Sequence, residues 1–303
     1  VTDDTRLRHL VVQAVVGRGP RLRRGDLVWT ILSAYHSAET RLARGFLEEY
    51  ALGGVYGETK PIWGGRMTNG FLMANGPLGL LCAADPVGAF ELSYAVDFIS
   101  DGYAKYSAAM GAAAVAAALM PGATPTSMVE QALDAAVAHR VEGSLTREWG
   151  WYDDVFQLNE RAVETAVEIA LRERDVFAVR EAYYEQLLVS ALGSEAAQTL
   201  AVALGMLVAA EGDLRQTIIG CVNYGRDNDS YASVAGTIAG AMHGMAAIPT
   251  TWRQTIEAAN PEPDMGDLAL GLTKAVFHKQ EKRRRITTAV DALLRVTSDT
   301  DEF

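Results

Sequence analysis

Twenty-one consecutive residues, Tyr231 to Thr251, carry no Asp, Glu, Lys or Arg. A stretch of that length is either a membrane span or a helix enclosed by protein. It is built from Ala and Gly, contains His243, and has few large aliphatic side chains. Membrane spans are selected for strongly apolar residues, so the composition predicts a helix buried in the middle of a water-soluble protein. Gly236, Gly240 and Gly244 recur every fourth residue, which predicts one bare face open to close backbone contact.

Helical spacing dominates elsewhere, and strand alternation is scarce. Leu7, Leu10, Val11, Ala14 and Val15 form an apolar face directly after Thr2-Asp3-Asp4-Thr5. Further helices are predicted over 27–47, 89–120, 155–174, 176–192, 194–210 and 214–222. Ser127-Met128-Val129-Glu130 reads as the capping box of another. Gly53 to Gly79 holds eight glycines in 27 residues, with Pro61 and Pro77, and predicts a structured loop lining a site. Asn260-Pro261-Glu262-Pro263 reads as a hinge before an extra C-terminal helix at about 265–297. With 303 residues, 49% of them apolar, and no repeat or linker, the expectation is one all-α domain over 1–303.

Lys and Arg number 27 against 38 Asp and Glu, a net charge of −11. That balance excludes a general nucleic-acid or anionic-membrane binder. Cys82 and Cys221 give neither a disulfide framework nor a zinc pattern, so a reduced, cytoplasmic setting is expected. No signal peptide is visible, and the opening residue is Val1, which predicts that the gene product starts further upstream.

The chemical signal lies in two short segments, Thr2-Asp3-Asp4-Thr5 and Gly225-Arg226-Asp227-Asn228-Asp229-Ser230. Each precedes a predicted helix, and either alone is explained by N-capping. Together they hold more carboxylates than two caps need. Clustered carboxylates repel unless a cation offsets them. Oxygen donors without Cys or His select Mg²⁺, Mn²⁺ or Ca²⁺, and four carboxylates with two hydroxyls could hold a pair of such ions about 3.5–4 Å apart. In the glycine-rich loop, Arg66 could face a phosphate or simply be a surface charge, and Trp63 and Tyr103 could stack on a base or pack in the rim.

At these residues the chain resembles the ADP-ribosylglycohydrolase family. Thr2-Asp3-Asp4-Thr5 is similar to its Thr-Asp-Asp-Thr motif, and Gly225 to Ser230, with the following Gly/Ala helix, to its Gly-x-Asp-Thr-Asp-Thr signature. Ile248-Pro249 and Trp252 resemble an Ile-Pro-x-x-Trp ending, and Asn69-Gly70, Met73 and Pro77-Leu78-Gly79 an Asn-Gly-x-x-Met-Arg-x-x-Pro-Leu-Gly loop. The order and spacing agree from residue 2 to about 252. The resemblance implies a single-domain orthogonal multi-helix bundle with a binuclear magnesium centre, Mn²⁺ being an acceptable replacement. Thr2, Asp3, Asp4, Asp227, Asp229 and Ser230 would be its ligands; beside it, Asp3 or Asp4 is the candidate catalytic base, and Arg66, Asn69, Gly70, Asp101 and Tyr103 are the candidate substrate contacts. Four features depart from the family: an upstream acidic helix is missing, Asn228 and Ser230 replace threonines, Ala74 replaces the loop Arg, and Asp101 stands where many members have His.

The implied activity is hydrolysis of a ribosyl glycosidic bond in an ADP-ribosylated or N-ribosylated substrate, including a small nucleoside-like or NAD-derived metabolite. The alternative is a non-catalytic member that binds ADP-ribose or a nucleotide. Neither reading calls for nucleic acid or membrane as partner.

Overall fold

Alanine and glycine set how closely the central helices of this chain approach. The computed structural model describes residues 2–38, 47–48, 50–54, 67–142, 151–187 and 192–298. Its helices are α1 (Asp3–Arg18), α2 (Arg24–Ser37), α3 (Gly76–Leu81), α4 (Pro86–Val96), α5 (Gly102–Ala118), α6 (Pro125–Glu142), α7 (Trp151–Glu173), α8 (Ala178–Gln186), α9 (Ala196–Ala209), α10 (Leu214–Tyr224), α11 (Asn228–His243), α12 (Thr250–Ala259) and α13 (Met265–Ser298). Among the described residues there is no strand, and an isolated bridge joins Thr68 and Glu195. The fold is all-α, as the periodicity predicts, and no described helix is long and apolar enough to cross a membrane.

Helices α5 and α9 run through the core. Every residue of α9 is buried, and α5 is buried from Tyr106 to Ala118. Small side chains let α3 lie directly on α5. A Cβ added at Gly79 would meet the Ala112 carbonyl oxygen at 2.5 Å and Val115 Cβ at 2.6 Å. Backbone cannot move away from such a contact cheaply, so Gly79→Ala is expected to cost about 1–3 kcal/mol and lower the melting midpoint by several degrees. Gly240→Ala, where nothing lies within 4 Å of the new Cβ, should be neutral or raise it, since Ala favours helix by up to about 1 kcal/mol over Gly.

That second position corrects an expectation. Helix α11 buries Tyr231, Val234, Ala235, Ile238 and Ala239 on one face only. Among its recurrent glycines, Gly236 approaches Ile218, and nothing lies within 4 Å of a Cβ at Gly240 or Gly244. The uncharged segment is half-buried, and its glycine row does not form a backbone contact.

Two further boundaries differ. The predicted helix over 89–120 breaks at 97–101, where the Asp97 carboxylate accepts from the Ile99 and Ser100 amides at 2.8 and 3.0 Å and gives the backbone an alternative to helix. The capping box sits three residues early: Thr124 N donates to Ser127 Oγ at 2.9 Å and Ser127 N to Thr124 Oγ1 at 3.1 Å, and the helix begins at Pro125. The loop predicted over 53–79 ends in α3, and its residues 55–66, with Trp63 and Arg66, lie outside the described residues. On α13, within the basic run Lys282 to Arg285, Arg283 pairs with Asp85 at 2.8 Å.

Candidate active site

Both acidic segments sit at helix starts, and neither uses its N-cap side chain as a cap. Thr2 precedes α1 and Asp227 precedes α11 without a side-chain capping bond. Capping therefore does not account for these residues. Asp4 is 4% exposed, and one of its oxygens, Oδ1, is buried without a hydrogen-bond partner. A buried anionic oxygen left without a donor is costly unless something positive meets it.

The electrostatics bring the two segments together. Burial, followed by the charges of Asp229 and Asp3 and a smaller push from Asp227, raises the Asp4 carboxyl to about 6, against the pull of Arg8. Residues more than 220 positions apart in sequence thus repel one another. Asp227 is also raised, chiefly by burial, with Asn69 and Ser230 hydrogen bonds holding it down. Asp3 and Asp229 are exposed at the rim, while Ser230 is buried beside Met73, its Oγ 3.7 Å from the sulfur. As placed, no three acidic, imidazole or thiol side chains among the described residues enclose a common point. The carboxylates are neighbours in charge without enclosing a common point.

The glycine-rich loop joins the two segments. Its end pairs with the start of α9: Asn69 N donates to Ser194 O at 2.9 Å, and Ala196 N to Met67 O at 3.4 Å. The buried Asn69 amide then donates to Asp227 Oδ2 at 2.6 Å and Thr199 Oγ1 at 3.0 Å. Gly70 is buried, and a Cβ there would come within 3.4 Å of the Tyr50 hydroxyl, an ordinary contact. From the other side, the Arg8 guanidinium donates to Met73 O and Ser233 Oγ. One loop is thereby tied to α1, α9 and α11 around the carboxylates.

The remaining predicted contacts stand at the next position outward. Tyr103 hydrogen-bonds Glu195, and burial, with that carboxylate, pushes its phenol up to about 12. Asn159 fixes this end of α5 by donating to Tyr103 O at 2.9 Å. Asp101 caps α5 through Gly102 N at 2.8 Å. Gly102 lies against Met67, a Cβ there falling 2.7 Å from the methionine methyl, so Asp101 and Tyr103 border the loop. Asn228 turns away, its amide donating to Val222 O at 3.2 Å. The hydroxyl missing at that position is therefore missing from the end of α10 and not from the carboxylate cluster.

Sequence reasoning missed Arg8 and Glu195. Arg8 stands four residues after Asp4, the spacing at which a helical Asp and Arg meet, and it interrupts the apolar face from Leu7 to Val15. Glu195 is 2% exposed and accepts from Ala197 N at 2.9 Å and Gln198 N at 2.6 Å. Its signal was an acid directly before an otherwise uncharged helix.

Asp4, Asp97, Asp227 and Glu195 all have carboxyls raised first of all by burial. The fold therefore favours their protonated forms. For Asp4 this contribution is complete below its unfolded value near 3.8 and is lost as pH rises through about 6. Thermal melts in EDTA should give a higher midpoint near pH 5 than near pH 7.5, and the gap should shrink in Asp4→Asn. An unchanged gap in that variant would exclude Asp4 as a source.

Comparison with known proteins gives one extended match and two short ones. A protein-family model described as ADP-ribosylglycohydrolase matches residues 1–286. ADP-ribosylhydrolase ARH3 of Gallus gallus is 44% identical over 46 residues, 15% of this chain and 12% of the relative. ADP-ribosylhydrolase ARH3 of Mus musculus is 43% identical over 44 residues, 14% of this chain and 12% of the relative. The matched stretch thus spans 12% of the length of each of these relatives. No solved structure matches the chain.

Proposed function

The chain belongs to the ADP-ribosylglycohydrolase family, and from that premise we propose that it hydrolyses the bond between ribose C1 and a leaving group in an ADP-ribosylated or N-ribosylated substrate. The observation that carries the proposal is the buried, unsatisfied carboxylate of Asp4, raised by the charges of Asp229, Asp3 and Asp227. Thr2, Asp3, Asp4, Asp227, Asp229 and Ser230 offer only oxygen donors, which suits Mg²⁺ or Mn²⁺. Such ions, when bound, supply positive charge that holds ribose hydroxyls and makes water more acidic.

The chain's own residues do the rest. Asp3, at the exposed rim, or Asp4 beneath it takes the proton from the attacking water; a base with a value near the working pH does this best. As the C1 bond breaks, positive charge grows on the ribose ring, and the surrounding carboxylates stabilise it. Asn69 holds Asp227 in place and Glu195 positions Tyr103 at the border. Burial of Asp4 limits the screening of its own charge, while Asp3 and Asp229 stay solvated at the rim.

The test is release of free ADP-ribose from ADP-ribosyl-arginine, and of ribose from a simple N-riboside, with Mg²⁺ or with EDTA. Magnesium-dependent product from either supports hydrolysis. ADP-ribose binding with no turnover of either substrate would replace it with a non-catalytic binding role.

A further inference from the structure

Away from the carboxylates, α13 is clipped to the turn between α3 and α4. Gln280 Nε2 donates to Ala83 O at 3.3 Å, and Arg283 pairs with Asp85 at 2.8 Å. Beside them the Lys279 amine stands 2.6 Å from the sulfur of Cys82, which has no exposed surface. Ordinary N–H···O bonds span about 2.7–3.2 Å, and sulfur is the larger atom. The amine and thiol are therefore closer than a plain hydrogen bond between them requires. A single oxygen atom bonded to both would span that gap.

We propose that Cys82 and Lys279 are a site of oxidative cross-linking, joined by peroxide through one oxygen as an N–O–S bridge. In the first step the Cys82 thiol gives two electrons to one hydrogen peroxide. The O–O bond breaks, an S–O bond forms, and one water leaves, giving the sulfenic acid. In the second, Lys279, as the neutral amine, gives two electrons to a second peroxide. An N–O bond forms to the sulfenic oxygen and two waters leave. In sum, one thiol, one amine and two peroxides give the bridge and three waters.

Helix α13 is held to this turn by Lys279, Gln280 and Arg283, so a covalent link between positions 197 residues apart would fix its docking. A cross-link closing so long a loop restricts the unfolded chain. Cys82 is buried, but peroxide is small enough to enter through local opening. Cys221, equally buried, hydrogen-bonds no lysine among the described residues and serves as the internal comparison.

The experiment treats the full chain with hydrogen peroxide, digests it without reductant and weighs the peptides. The expected product joins the Cys82 and Lys279 peptides, with a mass equal to their sum plus one oxygen and minus two hydrogens. It should revert with dithiothreitol, be absent from Cys82→Ser and Lys279→Arg, and accompany a raised melting midpoint of the oxidised protein. The proposal is overturned by separate sulfinic or sulfonic Cys82 peptides, by a direct S–N link lacking the oxygen, or by unmodified Cys82 at a dose that oxidises the exposed Met245.

Discussion

Asp4→Asn is expected to abolish hydrolysis and, in the absence of divalent ions, to make the protein more stable. Asparagine keeps the shape of the side chain and its carbonyl oxygen, so packing beneath the cluster is preserved. What disappears is a buried negative charge that Asp229, Asp3 and Asp227 all repel. The rise from 3.8 to about 6 sets a ceiling of about 3 kcal/mol, at roughly 1.4 kcal/mol per pKa unit, and screening by water at the rim brings the gain nearer 1–2 kcal/mol. Activity should fall by at least about 10²–10⁴-fold, the range for loss of a general base, and further if Asp4 also holds an ion. Urea unfolding in EDTA and product release with Mg²⁺ read the two effects separately. A merely structural aspartate would lose stability and leave turnover largely intact, which would count against the site.

Arg8→Met should have the opposite effect on the fold. Arg8 is the cation whose charge lowers Asp4, and its guanidinium also satisfies Met73 O and the Ser233 hydroxyl. Methionine fills similar volume but supplies neither charge nor donors. The buried Met73 carbonyl loses a partner, and Asp4 faces three carboxylates without that cation. Removing one partner from a buried charged network costs about 3–5 kcal/mol. Since part of the cost is uncompensated negative charge, saturating Mg²⁺ should return more stability to Arg8→Met than it adds to the parent protein. Denaturant midpoints with and without Mg²⁺ measure this. Equal increments in both proteins would show that Arg8 supports packing alone and does not neutralise the cluster.

Much of the architecture was legible because periodicity reports which face is buried. Helices α9, α10 and α13 fall within a few residues of their predicted spans. The convergence of Asp4 with Asp229 was legible only through the resemblance, since each segment alone reads as a cap. The break at Asp97 was hidden because a carboxylate's choice between solvent and the following amides depends on what surrounds it. Gly240 misled for the converse reason: a row of small residues permits close contact but does not supply a partner. Arg8 and Glu195 were missed because an acid and a base four residues apart, or an acid at a helix start, ordinarily serve the helix itself, and their roles arise from residues remote in sequence, Met73, Ser233 and Tyr103.

The central claim is that residues at the two ends of the domain share divalent cations. Calorimetric titration of Mg²⁺ into the parent chain, Asp4→Asn and Asp229→Asn tests it most directly. The account predicts saturable binding to the parent with release of protons near pH 6, where Asp4 titrates. Both variants should bind at least about tenfold more weakly, a loss of about 1.4 kcal/mol each. No binding to the parent, or unaltered affinity in either variant, would contradict it.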